Sequence, residues 1–297
     1  MDEIMDIKDF KNLPDLDLNV GSFVPEYLAL WNKLNIEKVD QFSQLDFFIL
    51  LIDSSASMMY PSIAKFNQPL LKRIQEKPKD QTLNLTREEN DIIRKAQTDI
   101  LNIISKEHKN ILKSIRDSEQ CSCRRLLITQ ASFNKEIRLY NAFDVLDCES
   151  NDHINIIKQD NFVCTSSTAL YRTIYEMLRP VYNFAIWCFN HPQNKISHRI
   201  RLGIITDGKD NLSTNLDKEK LIQLIDNITL GKKIDFYSIL VGLTSNLFPD
   251  IEAEKIRKEL KINSYINVEH NDQRAIRKAF NYASRNPVDF DEIFNDF

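Results

Sequence analysis

Three short stretches of the chain carry oxygen donors at spacings that could do chemistry. Asp53, Ser55 and Ser57 stand at alternate positions directly after the apolar run Phe47–Ile52. Thr168 closes Thr165-Ser166-Ser167-Thr168, and Asp207 sits in Thr206-Asp207-Gly208 behind a second apolar run, Leu202–Ile205. Two carboxylates and three hydroxyls are hard donors. They suit Mg2+ or Mn2+, which keep waters and leave a coordination position open, better than Zn2+, which prefers nitrogen and sulfur. Each stretch alone is weak, because Asp, Ser and Thr also cap helices and turns. All three together, each beside an apolar element, form a specific signal.

The elements that must position them are legible in the hydrophobic pattern. Phe47–Ile52 is a continuous apolar run, the mark of a strand buried on both faces. Leu202–Ile205 and Ile234–Val241 read the same way, and Tyr265–Val268 is a shorter fourth run. Leu126–Phe133 and Ile137–Tyr140, separated by Asn134-Lys135-Glu136, read as a hairpin. Helical periodicity fills the gaps. Thr86 and Glu89 form a capping box ahead of a stripe from Ile92 to Ile115. Thr168–Phe189 is apolar around much of its circumference, and Pro180 is expected to bend or interrupt it. Leu216–Leu230, Asp250–Leu260 and Asp272–Ser284 are shorter amphipathic stretches. This alternation predicts an α/β fold: a Rossmann-like open, mostly parallel sheet with one antiparallel edge strand and helices on both faces. In such sheets ligands bind outside the carboxyl ends of the strands, where strand order reverses.

Together these motifs resemble the metal-ion-dependent adhesion site (MIDAS) of the von Willebrand factor A family, from about Leu45 to Ser284. Asp53-x-Ser55-x-Ser57, Thr168 and Thr206-Asp207-Gly208 occur in the family's order, each at the matching end of its element. The resemblance implies that Ser55, Ser57 and Thr168 hold Mg2+ or Mn2+ directly. It implies that Asp53 and Asp207 act largely through bound waters, and that an acidic side chain of a protein partner fills the last position. Two departures stand out. Ser166-Ser167 replaces the family's usual pair of glycines, and the stretch between Ser57 and the hairpin is long. Asn183–His198, with Trp187 and Phe189, also reads as extended.

The domain organisation follows: residues 1–44 as an acidic extension with a short helix opened by Pro25, 45–285 as the domain with a helical insertion around 60–118, and 286–297 as an acidic, aromatic docking tail. Residues 1–45 hold nine acidic and four basic side chains. Net charge is −4, which gives nucleic acid no global basic field to follow. Glycine contributes 5 of 297 residues, against about 7% in ordinary chains. That is little material for phosphate-cradling loops. Gly203-x-x-x-x-Gly208-Lys209 nearly spells one, but Asp210 follows and Gly203 falls inside a strand. No apolar stretch approaches membrane-spanning length. Five cysteines without a CxxC pair point away from a disulfide framework and to a reducing, cytoplasmic setting.

With the resemblance, the sequence implies an intracellular, non-enzymatic module that binds an acidic partner through a divalent ion. By analogy of family such a module serves an AAA ATPase or a stress or defence system. One alternative is a Mg2+-dependent phosphatase of the haloacid-dehalogenase type, but that chemistry needs a second carboxylate where Ser55 stands. Another is a scaffold that ignores metal altogether.

Overall fold

The computed structural model describes residues 44–77, 83–117, 124–146, 150–158, 162–165, 167–190, 197–208, 210–244, 250–269 and 273–284. The expected N-terminal helix and acidic tail lie outside them. Six strands form one sheet: β1 (Gln44–Asp53), β2 (Arg124–Phe133), β3 (Ile137–Leu146), β4 (Ser197–Thr206), β5 (Asp235–Thr244) and β6 (Ser264–Glu269). Their order is β3-β2-β1-β4-β5-β6. Every pairing is parallel except β2 with β3, so the hairpin strand is the antiparallel edge. Strand order reverses at β1, which pairs β2 on one side and β4 on the other.

β1 explains how a continuous apolar run serves this architecture. Side chains alternate faces along a strand. Leu45, Phe47, Ile49 and Leu51 enter one core and Phe48, Leu50 and Ile52 the other, all 0–1% exposed. The first core is covered by α4 (Leu170–Asn190), α5 (Asn215–Gly231) and α6 (Asp250–Glu259). Phe47, Phe143 and Phe184 meet there edge to face, with centroids 5.2–6.5 Å apart. The second core is covered by a 3-10 turn (Ala56–Met59) followed by α1 (Tyr60–Phe66), α2 (Gln68–Glu76), α3 (Arg87–Arg116) and α7 (Gln273–Ser284). Among the described residues no helix is long and apolar enough to cross a membrane.

Local chemistry sets the helix boundaries. The capping box before α3 forms in full: Glu89 N–H donates to Thr86 Oγ1 and Thr86 N–H to Glu89 Oε2. Thr214 and Asp217 repeat it at α5. The long stretch after Ser57 holds three helices, and α3 is the one that returns the chain from β1 to β2.

One expectation needs correction. α4 runs unbroken through Pro180. A proline inside a helix costs about 3 kcal/mol, but Met177, Leu178, Val181 and Phe184 around it are all fully buried and outweigh that loss. Asn183–Asn190 is the last part of that helix, the end of the helical stretch read from Thr168 to Phe189. Trp187 within it stacks on Phe184 at 5.9 Å and packs on the core.

Candidate metal centre

The reversal of strand order at β1 and β4 brings Asp53, at the end of β1, beside Asp207, just past the end of β4. Parallel register does this directly, since Ile52 pairs with Ile205. The first hydroxyl loop folds back at once. Asp53 Oδ1 accepts the backbone N–H of Ser55 at 2.7 Å, a local turn typical of Asp. That turn aims Ser55 and Ser57 at the neighbouring strand. Their hydroxyls lie 2.9 Å apart, and Ser57 Oγ donates to Asp207 Oδ1 at 2.9 Å. Ser55 Oγ stands 3.5 Å from the same oxygen.

Thr168 arrives from the other side, just before α4. Gly208 shows how closely it comes. A methyl group placed on Gly208 would sit 3.3 Å from Thr168 Oγ1, 3.7 Å from Ser57 Oγ and 3.8 Å from Asp53 Oδ2. The five side chains therefore meet at the carboxyl edge of the sheet: Thr168, Ser57 and Asp53 beside Gly208, and Ser55 and Asp207 through Ser57.

Asp53, Ser55, Thr168 and Asp207 are 0–2% exposed, and Ser57 is half-buried. The loops that follow each strand fold over the carboxylates. Burial has an electrostatic consequence. It pushes the Asp53 carboxyl up to about 6, against the lowering effect of hydrogen bonds from Thr206 and Ser55. Asp207 is driven well above the ordinary carboxylate range, first by burial and then by the charge of Asp53. Tyr60, at the start of α1, is also raised by burial and by the field of Asp207.

Two carboxylates buried side by side are costly when both are ionised. A small hard cation relieves that cost, and the donor set of two carboxylates and three hydroxyls fits one. The described residues contain no cluster of three His, Cys, Asp or Glu side chains, so soft-metal chemistry has no comparable centre there.

Several positioning residues escaped the sequence reading. Thr206 was read only as part of the Thr-Asp-Gly motif, yet its Oγ1 donates to Asp53 Oδ2 at 2.6 Å. Asn134, buried in the hairpin turn, donates from its side-chain amide to Ser54 O and Thr165 Oγ1, while its backbone carbonyl accepts Ala169 N–H. The loop after Asp207 clamps the Thr168 segment. Asn211 Oδ1 accepts Thr168 N–H, Asp210 Oδ2 accepts Tyr171 N–H and Ser213 Oγ accepts Arg172 N–H. Thr168 O in turn accepts from Asn211 and Leu212. These side chains satisfy the free N–H groups at the start of α4. The signal available was Asp210-x-x-Ser213, a cluster of capping residue types with no helix of its own before Thr214.

The mostly parallel sheet with one antiparallel edge strand is the fold expected from the sequence, and the three motifs lie at the carboxyl ends of its strands. No family model matches the sequence, and no curated protein matches it significantly. Among solved structures the chain is similar to the PilB minor pilin from Streptococcus sanguinis, at 12% identity and a TM-score of 0.49, over 82% of this chain and 61% of the pilin. It is also similar to proximal thread matrix protein 1 from the mussel byssus with a zinc-occupied MIDAS motif, at 11% identity and a TM-score of 0.37, over 82% and 46% of the two chains. A third is the manganese-loaded TRAP protein of Plasmodium vivax, at 14% identity and a TM-score of 0.36, over 80% and 73%. The chain thus spans less than two thirds of the pilin and of the byssus protein.

Proposed function

We propose that this chain is a metal-dependent protein-interaction module, in which Asp53, Ser55, Ser57, Thr168 and Asp207 hold Mg2+ or Mn2+ and a partner's acidic side chain binds at the same point. The observation that carries this reading is the meeting of three oxygens beside Gly208, with Ser55 and Asp207 bonded to one of them, and two of the five residues are buried carboxylates with no ion pair among the described residues. When bound, the ion supplies a partly neutralised positive charge that attracts a further carboxylate. Ser55 and Ser57 orient their oxygens through the bond they share and through Asp207. Thr168 is fixed by the loop that follows Asp207, and the covering loops keep bulk water from the carboxylates.

A binding role is favoured over phosphoryl transfer by chemistry at one position. The phosphatase reading requires an acid-base group two residues after Asp53. Ser55 stands there, and a hydroxyl cannot carry that proton near neutral pH. A reducing, cytoplasmic setting is in keeping with Cys164 and Cys188, buried thiols that form no disulfide among the described residues and whose burial pushes both well above the usual thiol range. An acidic segment of an AAA ATPase, or of a stress or defence component, is the partner that family analogy suggests.

The test is a thermal unfolding titration of metal-stripped protein with Mg2+ and Mn2+, with Asp207→Asn as control. Ligand at a hundred times its dissociation constant adds about 2.7 kcal/mol of stability, a shift of several degrees in a domain of this size. Asp207→Asn keeps the volume but removes one of two crowded charges. It is expected to raise the metal-free midpoint and to abolish the response to metal. A wild-type protein indifferent to both ions would leave the five residues as caps and turns, and this function would fall with them.

A further inference from the structure

We propose that the acidic, aromatic segment Pro287–Phe297 docks, within the same chain, into a basic-rimmed groove at the C-terminal end of α3. The groove is a cavity of about 320 Å3 between the last turns of α3 and the segment 151–156. Its floor is apolar: Leu112 and Ile154 are buried and Ile156 is partly so. Lys109, Lys113 and Arg116 rise along its rim at positions i, i+4 and i+7, one face of a helix. Asp152 is the acid among the lining residues, so positive charge prevails. Asn151 Nδ2 donates to Leu112 O at 3.3 Å and pins the far wall to the helix.

The ordinary explanation for cations here is that they complement the negative end of the helix dipole. It accounts for the charge but not for an open apolar floor beneath it. Arg116 pairs with its neighbour Asp117. Lys109 and Lys113 are exposed and make no ion pair among the described residues.

Residues 287–297 are complementary in both respects. Asp289, Asp291, Glu292 and Asp296 supply negative charge with no Lys or Arg among them. Phe290, Ile293, Phe294 and Phe297 recur three and four apart, the spacing that places apolar groups on one helical face. The floor takes the aromatic groups and the rim takes the acids. The connection is long enough. α7 lies against α3, with Arg277 Nε 4.0 Å from Glu107 Oε2. From that contact Ser284 is about 10 Å along one helix and Lys113 about 9 Å along the other. Residues 285–289, ahead of Phe290, can extend about 17 Å. The groove is also separate from the metal centre. Gln97, whose side chain holds Cys164 N–H and Phe162 O near the site loops, lies twelve residues before Lys109, about 18 Å of helix.

The test is amide hydrogen exchange on the full chain at two protein concentrations. Docking predicts slow exchange in residues 151–156 and in the segment itself. Phe290→Ser with Phe294→Ser should speed exchange about tenfold in both places. Those changes lie outside the described fold, so the result is readable whatever the groove variants do. Lys109→Glu with Lys113→Glu should release the segment likewise, and adding Asp291→Lys with Glu292→Lys should restore protection. Exchange in 151–156 that ignores the phenylalanine changes overturns the proposal. Protection that grows with protein concentration overturns it too, because the groove is then filled by a second copy. Neither outcome bears on the metal centre.

Discussion

Thr206 Oγ1 donates a 2.6 Å hydrogen bond to Asp53 Oδ2, joining the last residue of β4 to the last residue of β1. The same hydroxyl oxygen accepts Gly208 N–H at 3.2 Å. One side chain thus ties a buried carboxylate to the turn that carries Asp207. Oδ1 of Asp53 is meanwhile held by Ser55 N–H. Both oxygens are fixed before any ligand arrives, which is what a preorganised site requires.

Thr206→Val keeps the shape and removes the donor. It leaves a buried carboxylate oxygen short of a partner, a loss of about 1–3 kcal/mol. The expected outcome in a chemical denaturation series is a lower midpoint with an unchanged slope. Metal-dependent stabilisation should weaken at the same time, because Asp53 becomes free to turn. A midpoint within error of wild type would show that the bond contributes nothing.

Gly208→Ala separates site from fold. No glycine of the described chain has positive φ, so the backbone tolerates the change. The added methyl would press on Thr168 Oγ1 at 3.3 Å and fill the point on which the donors converge. The expected result is near-normal stability without metal and at least a tenfold loss of apparent metal affinity, about 1.4 kcal/mol. Full affinity in this variant would place the ion elsewhere.

If the proposed site holds a metal, proton and metal compete for the same carboxylates. Asp53 is raised from 3.8 to about 6, so the folded chain holds this proton more tightly than the unfolded one. Its contribution is fully present below pH 3.8 and is lost as pH rises through 6. His108 and His198 act oppositely. Burial lowers both from 6.5 to about 4. Their contribution is full above pH 6.5 and is lost as pH falls towards 4. The two effects oppose each other across one window, so the metal-free profile is a poor guide. The increment due to metal is clean, since neither histidine is among the five site residues. That increment should be large at pH 7.5 and small at pH 5.5, where each proton displaced weakens apparent affinity about tenfold per pH unit. An increment independent of pH would mean that Asp53 and Asp207 do not face the ion.

The sheet was legible because its central strands are long apolar runs, and a strand buried on both faces leaves no other reading for Phe47–Ile52. The hairpin was legible from Asn134-Lys135-Glu136, and Asn134 also proves to be a buried hub of the site. What escaped depends on tertiary context. Pro180 breaks helices in isolation, but nothing local reveals that α4 is enclosed on most sides. The five candidate residues were chosen from motif order, yet their burial could not be read there, because it arises from loops distant in sequence closing over them. Asn211 illustrates the same limit. In sequence it sits in a glycosylation triplet; in the fold its side chain holds the backbone of Thr168.

That clamp yields the last expectation. Asp210 Oδ1 accepts Leu212 and Ser213 N–H, at 3.2 and 2.8 Å, and Oδ2 accepts Tyr171 N–H at 2.7 Å. Asp210 therefore caps its own turn and the start of α4 with one carboxylate, whose charge also suits a helix N-terminus. Asp210→Ala should cost about 1–2 kcal/mol, in the range of a lost N-cap. A purely structural role would lower the melting midpoint alone. If Asp210 positions Thr168, metal affinity should fall as well, because Thr168 Oγ1 is no longer held towards Gly208. Arg138→Ala, on the edge strand, serves as a comparison, with any effect confined to stability. Measured together, midpoint and metal affinity should fall in parallel for Asp210→Ala and part company for Arg138→Ala; equal metal affinity in both would make the Asp207 loop a cap for α4 and nothing more.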